Sequence, residues 1–166
     1  MLNLERLRPD HADALLAFER ANRAWFARTV PDRGDAYFAD FPARHAALLA
    51  EQDSGVCRFH VVLDAAGAVL GRVNLVDITD GTAELGYRVG EHATGRGVAT
   101  TAVAHLCRLA AADYALTSLT AITTLDNLAS QTVLTRNGFA VVAELTLDDR
   151  PALRFGRALA DGRPSA

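Results

Sequence analysis

The stretch Glu84-Leu85-Gly86-Tyr87-Arg88-Val89-Gly90-Glu91-His92-Ala93-Thr94-Gly95-Arg96-Gly97-Val98-Ala99-Thr100 narrows the possible folds more than any other part of the chain. It opens as a strand, with Leu85, Tyr87 and Val89 at alternate positions. It passes through a loop punctuated by Gly90, Gly95 and Gly97. It then enters a helix running to about Tyr114, whose apolar stripe is Val98, Ala102, Val103, Leu106, Leu109 and Ala110. A strand that feeds a glycine-rich turn into the first turn of a helix builds an anion site. The free N–H groups there point outward and the helix dipole adds positive potential.

Composition limits the anion's context. A chain of 166 residues with half of them hydrophobic implies one domain with a substantial core. We expect that domain to span 1–160, with 161–166 as a frayed tail. The net charge of −3 argues against nucleic-acid or membrane binding driven by bulk charge. No apolar run approaches the roughly 20 residues that span a bilayer. The N-terminus lacks the basic-then-apolar order of a signal peptide, so the expected location is cytoplasmic. Cys57 and Cys107 stand alone, without metal-site or disulfide spacing, and no metal site is expected. All 17 residues counted as Lys or Arg are arginine, which excludes lysine Schiff-base chemistry.

The order of elements is readable. Leu2, Leu4 and Leu7 suggest a first strand, and Asp10 a helix N-cap. A helix carrying Phe18, Asn22 and Trp25 ends before Pro31. A second helix, about Asp35 to Gln52, is kinked or divided by Pro42. Strands over Val56–Leu63, Ala68–Ile78 and Thr82–Val89 form a meander joined by Asp64-Ala65-Ala66-Gly67 and Thr79-Asp80-Gly81. After the long apolar helix come a strand at Ser118–Leu125 and a short helix capped by Asp126-Asn127. A strand follows at Phe139–Leu147, then a turn at Asp148-Asp149-Arg150-Pro151 and a last strand at Ala152–Leu159. This is a mixed α/β layer fold, a sheet with helices packed on it.

Competing phosphate loops fit poorly. Gly90 and Gly95 have Walker spacing, but Arg96-Gly97 stands where lysine and a hydroxyl residue are needed. Gly95-Arg96-Gly97-Val98-Ala99-Thr100 lacks the third glycine of a dinucleotide fingerprint and sits in mid-chain. Instead His92-Ala93-Thr94-Gly95-Arg96-Gly97 resembles the [QR]-x-x-G-x-[GA] loop of the GNAT N-acetyltransferase superfamily, departing from it at His92. Asp126-Asn127-Leu128-Ala129-Ser130, followed by Leu134 and Asn137-Gly138-Phe139, is similar to the N-x-x-S…L…x-G-F signature of its ribosomal-protein N-terminal acetyltransferase branch. The order of elements matches along nearly the whole chain.

The resemblance implies a mostly antiparallel sheet of about seven strands with a splayed parallel pair at strands 4 and 5, flanked by about four helices. It implies acetyl-CoA as co-substrate and direct transfer to a primary amine, either a protein N-terminus or a small molecule. A non-catalytic acyl-CoA sensor or scaffold is the alternative, and the assembly is a monomer or homodimer. The cofactor residues it implies are Thr94, Gly95, Arg96, Gly97, Val98, Ala99 and Thr100 around the pyrophosphate. The main chain of Tyr87, Arg88 and Val89 would hold the pantetheine arm, with Gly86 marking a bulge. Asn127 and Ser130 would lie near the sulfur, with Ser130 as acid. Glu84 is the candidate base, directly or through water, against a structural pairing with Arg72 or Arg88. Asn22, Trp25, Phe26, Tyr37 and Asn74 are candidates for acceptor contact.

Overall fold

The computed structural model describes residues 1–159. The expected tail, 161–166, lies outside them. Strands β1 (Asn3–Arg6), β2 (Arg58–Leu63), β3 (Val69–Thr79), β4 (Thr82–Val89), β5 (Ser118–Thr124), β6 (Ala140–Leu147) and β7 (Arg150–Ala158) form one seven-stranded sheet in the order β1-β2-β3-β4-β5-β7-β6. Among the described residues only β4 and β5 run parallel. Helices α1 (Ala12–Ala21), α2 (Arg23–Phe26), α3 (Asp35–Ala39) and α4 (Phe41–Ser54) come before β2, α5 (Val98–Ala112) follows β4, and α6 (Leu128–Arg136) follows β5.

Alternation along the strands sorts side chains between two layers. Val62, Val73, Leu75, Leu85 and Val89 pack with Val98, Val103, Leu106 and Leu134 on the α5–α6 side. Phe59, Val61 and Leu63 pack with Leu15, Tyr37, Phe38 and Phe41 on the α1–α4 side. The sheet is therefore the middle of three layers, and each residue of β4 commits its side chain to one layer or the other.

The decisive irregularity is the parting of β4 from β5. They pair at Thr82↔Ser118, Ala83↔Leu119 and Glu84↔Thr120 and no further. Beyond that point β4 stays in step with β3 as far as Val89, and β5 stays with β7 as far as Thr124. Each strand follows its antiparallel partner, so the sheet opens between them. The expected bulge at Gly86 is not there, because Gly86 pairs in register with Asn74. The register shift falls in β3 between Val76 and Thr79, where Asp77 takes a positive φ of 52°.

Several boundaries also differ from expectation. Asp10 does not cap α1; its carboxylate binds the Arg8 guanidinium at 3.0 Å, while His11 Nδ1 accepts the Arg8 N–H at 3.0 Å. The first helical segment breaks at Asn22 rather than continuing past Trp25. The second divides at Asp40, leaving Pro42 in the first turn of α4, where a missing N–H costs no helix bond. The β6–β7 turn is shorter than expected. Asp148 and Asp149 alone make it, with φ of 51° and 60°, and Pro151 belongs to β7 opposite Thr146. Paired positive φ values suit a tight hairpin turn.

His60 is 2% exposed, and its Nε2 meets the Tyr114 hydroxyl at 2.7 Å. Burial pushes its pKa down to about 4. An unfolded histidine titrates near 6.5, so between these values the unfolded chain takes up a proton that the fold refuses. The stability from neutral His60 is complete above pH about 6.5 and drains as pH falls toward about 4, by up to ~1.4 kcal/mol per pH unit. Thermal unfolding should show the melting temperature dropping across this window, and His60→Gln, which gains no proton, should flatten that dependence.

Candidate active site

After β4 the chain makes a single 3-10 turn at Glu91–Ala93 and then reaches Gly95 and Gly97, at φ 77° and 74°. A Cβ added at either glycine would meet nothing within 4 Å among the described residues. The positive φ is therefore what selects glycine here, and the space beside it is open. Helix α5 begins without a side-chain cap. Its first internal bond is Thr101 N–H to Gly97 C=O at 3.0 Å. The N–H groups from Gly95 to Thr100 donate to no acceptor among the described residues. An uncapped helix start with a run of free donors is an anion cradle.

Contacts from both sides hold the cradle. Asn22 accepts the Glu91 N–H at 2.9 Å and donates to Phe18 C=O at 2.9 Å. Gly90 lies so close to the Phe18 ring that a Cβ would sit 3.0 Å from it. Asn137 Nδ2 donates to Thr100 C=O at 3.2 Å, tying the end of α6 to the start of α5. Thr94 Oγ donates to Glu91 C=O at 2.6 Å, and Arg96 donates to His92 C=O. The Val98 side chain is in the core, so only its N–H faces the cradle.

A cavity of about 400 Å³ runs from the cradle into the gap between the strands, lined by Trp25, Phe26, Tyr87, Val89, Thr94, Ala99, Asn127 and Ser130 among others. The Gly90 N–H donates to Leu70 C=O at 2.9 Å, which sets the phase of β4. Gly86, Arg88 and Gly90 turn their main-chain groups to β3, and Tyr87 and Val89 turn theirs the other way. That side has lost β5. Of the expected main-chain contacts, Tyr87 and Val89 are thus available, whereas the Arg88 main chain is committed to β3.

At the inner end the Tyr87 hydroxyl donates to Ser130 Oγ at 3.1 Å. Asn127 Oδ1 accepts the Ser130 N–H at 3.2 Å and so caps α6. Burial raises the Tyr87 pKa, which keeps the phenol protonated at neutral pH. A second cavity of about 160 Å³ continues past Tyr87 toward Thr123, Thr124 and Asp148. Buried Thr123 Oγ has no hydrogen-bond partner among the described residues.

The opposite face of β4 differs in character. Glu19 is 1% exposed; it accepts from Arg72 at 3.2 Å and from Arg88 at 3.0 Å. Arg88 also lies over the Phe26 ring, 4.4 Å from its centroid. A cavity of about 470 Å³ opens there, lined by Arg33, Tyr37, Arg44, Arg72, Asn74, Gly86, Tyr87 and Arg88 among others.

The candidate acceptor residues therefore separate. Tyr37 and Asn74 line this opposite-face cavity, Trp25 and Phe26 line the cradle side, and Asn22 lines neither because its amide oxygen holds the loop at Glu91 and its amide nitrogen is tied to Phe18 C=O in α1. Glu84 is half-buried at the last paired position, on the same face as Gly86 and Arg88, and lines none of these cavities. It does not pair with Arg72 or Arg88, since Glu19 takes both. The sequence reading missed Glu19. Its signal was a carboxylate on the buried stripe of α1, at helical spacing with Leu15, Phe18 and Asn22. It also missed the phenol of Tyr87, whose main chain alone had been singled out.

A family model described as an acetyltransferase (GNAT) domain matches residues 1–140. The chain belongs to this family. Its fold is that of several solved acetyltransferases. Ribosomal-protein-S5-alanine acetyltransferase from Vibrio fischeri is 19% identical, with a TM-score of 0.89 over 98% of this chain and 96% of that one. RimJ of Mycobacterium smegmatis, in complex with CoA-disulfide, is 23% identical, with a TM-score of 0.86 over 95% and 81%. Spermidine N-acetyltransferase from Vibrio cholerae, in complex with CoA and spermine, is 18% identical, with a TM-score of 0.78 over 95% and 95%. The ribosomal-protein branch suggested by the motifs is thus among the structural neighbours. No curated protein matches the chain.

Gly97→Val tests the cradle. A β-branched residue at this positive φ costs about 1–2 kcal/mol, and its side chain enters the space left open beside the free N–H groups. CoA affinity, read by calorimetry, should fall at least about ten-fold, while circular dichroism shows the fold retained.

Proposed function

We propose that the chain is an acetyl-CoA-dependent N-acetyltransferase that moves the acetyl group directly to a primary amine in a ternary complex. One observation carries this. The free N–H groups of Gly95–Thr100 and the free main-chain edge of Tyr87 and Val89 form one continuous track that ends at the Tyr87–Ser130 hydroxyl pair. The cradle suits a pyrophosphate. The strand edge suits the amides of a pantetheine arm, added as a strand would be. The hydroxyl pair stands where the thioester would arrive.

The residues then divide the work. The Tyr87 and Val89 N–H groups are the donors nearest the developing negative charge of the carbonyl oxygen. Ser130 accepts from Tyr87, which leaves its own O–H free to protonate the departing thiolate, with the Tyr87 phenol as the reserve of that proton. The acceptor amine must be neutral to attack, and an aliphatic ammonium has a pKa of roughly 8–10. Glu84, two residues before Gly86 on the same face, takes that proton through water in this scheme. The structural neighbours include an enzyme named for ribosomal-protein alanine and one named for spermidine, so this fold serves acceptors of quite different character.

Calorimetry with acetyl-CoA and a thiol-release assay against an amine panel test the reading together. Absence of acetyl-CoA binding at millimolar concentration would overturn it. Binding without turnover of any amine would favour the alternative, an acyl-CoA sensor or scaffold. Ser130→Ala and Tyr87→Phe should each lower kcat by about 10²-fold, the usual scale for a lost proton donor, with acetyl-CoA affinity little changed. Glu84→Gln should lower turnover most at low pH. A pH–rate profile unchanged by that substitution would remove Glu84 from the scheme.

A further inference from the structure

The cavity on the α1–α4 face of β4 carries an unusual charge balance. Arg33, Arg44, Arg72 and Arg88 line it, against Glu51 on its wall and Glu19 beneath it. Glu19 has one oxygen on Arg72 and the other on Arg88, so a single negative charge serves two cations, Arg72 buried and Arg88 half-buried. Arg33 and Arg44 both lie over the Tyr37 ring, at 4.8 and 5.5 Å from its centroid, and neither has an ion-pair partner among the described residues. The nearby acids Asp32 and Asp35 bind Arg23 at 2.8 Å each, which leaves Arg33 without a counter-charge from its own loop. Arg88 loses basicity chiefly through burial, and the charge of Arg33 adds to that effect. Arg33 and Arg44 are exposed at the mouth of the cavity and Arg72 is buried at its back, and cations held on an aromatic ring in a concave surface form an anion receptor.

This receptor adjoins the reaction point. Gly86 and Tyr87 line both it and the cavity that holds Thr123. A molecule in the receptor can therefore present a group at Tyr87 while another part of it stays among the arginines. We infer that the acceptor amine carries an anionic group, a carboxylate or a phosphate, which Arg33 and Arg44 bind over Tyr37 with Arg72 and Arg88 behind them. The inference rests on the transferase reading and names its substrate class. It excludes polyamines, whose charges the arginines repel. The same positive potential disfavours the ammonium form of the acceptor and so helps supply the neutral nucleophile.

The experiment compares matched amines in the thiol-release assay. O-phosphoethanolamine is set against ethanolamine, L-aspartate against alaninamide, and spermidine serves as the cationic case. The phosphate and carboxylate arms separate the two sources of negative charge. At least one anionic amine should exceed its uncharged counterpart at least ten-fold in kcat/KM, and spermidine should be inert. Arg33→Gln and Arg44→Gln should each raise KM for that acceptor about ten-fold, with KM for acetyl-CoA unchanged. Acetylation that ignores charge, or that prefers spermidine, would overturn the inference and leave the transferase reading standing. If no amine reacts, O-phosphoethanolamine and L-aspartate are titrated into the CoA-saturated protein. Binding of either that disappears in the double arginine variant upholds the receptor, and failure of both to bind overturns it.

Discussion

After Glu84 the two central strands stop sharing hydrogen bonds, and the rest of the site depends on that separation. A strand edge in the middle of a sheet would ordinarily leave polar groups unpaired in a buried place. Here the main-chain groups of Tyr87 and Val89 face an open cavity instead. The parting also lets α6 reach across, so that Ser130 meets the Tyr87 hydroxyl. The cradle at Gly95–Thr100 lies at the outer end of the same gap, and Asn22 and Asn137 fix its position from α1 and α6.

Strand alternation then assigns chemistry to the two sides. Tyr87 presents its phenol to the gap, whereas its neighbours Gly86 and Arg88 belong to the opposite face, where Glu19, Arg72 and Arg88 form a buried charged cluster. Such a cluster is a poor source of stability, because desolvation of three charges offsets much of their attraction. Its position under an open, arginine-lined cavity makes better sense as preorganisation for a ligand. One strand thus separates a neutral hydroxyl pair from an arginine-lined cavity. That is a workable division between the donor side and the acceptor side of a group transfer.

Local chemistry explains which parts were legible in the sequence. Gly95 and Gly97 were readable because positive φ favours glycine, and the spacing survives in one dimension. The meander was readable from alternation and from Asp80-Gly81 at its turn. The bulge was misplaced because Gly86 looks permissive, yet the register shift occurs at Asp77, which tolerates positive φ through its short polar side chain. Asn22 looked like a pocket residue, since nothing in sequence shows that Glu91 folds back on it. The Tyr87–Ser130 contact and the Glu19 cluster join residues far apart in the chain, and only the packing of α6 and α1 against β4 creates them. Glu84 was legible as a strand carboxylate, but its freedom from Arg72 and Arg88 depends on Glu19.

Residue-resolved amide hydrogen exchange, with and without CoA, tests the open strand edge most directly. In the free protein the Tyr87 and Val89 amides should exchange orders of magnitude faster than that of Arg88, which is bonded to β3. Saturation with CoA should slow Tyr87, Val89 and the Gly95–Thr100 run together while leaving Arg88 unchanged. Tyr87 and Val89 amides already as protected as Arg88 without CoA, or still unprotected at saturation, would contradict the assignment of this edge as the cofactor track.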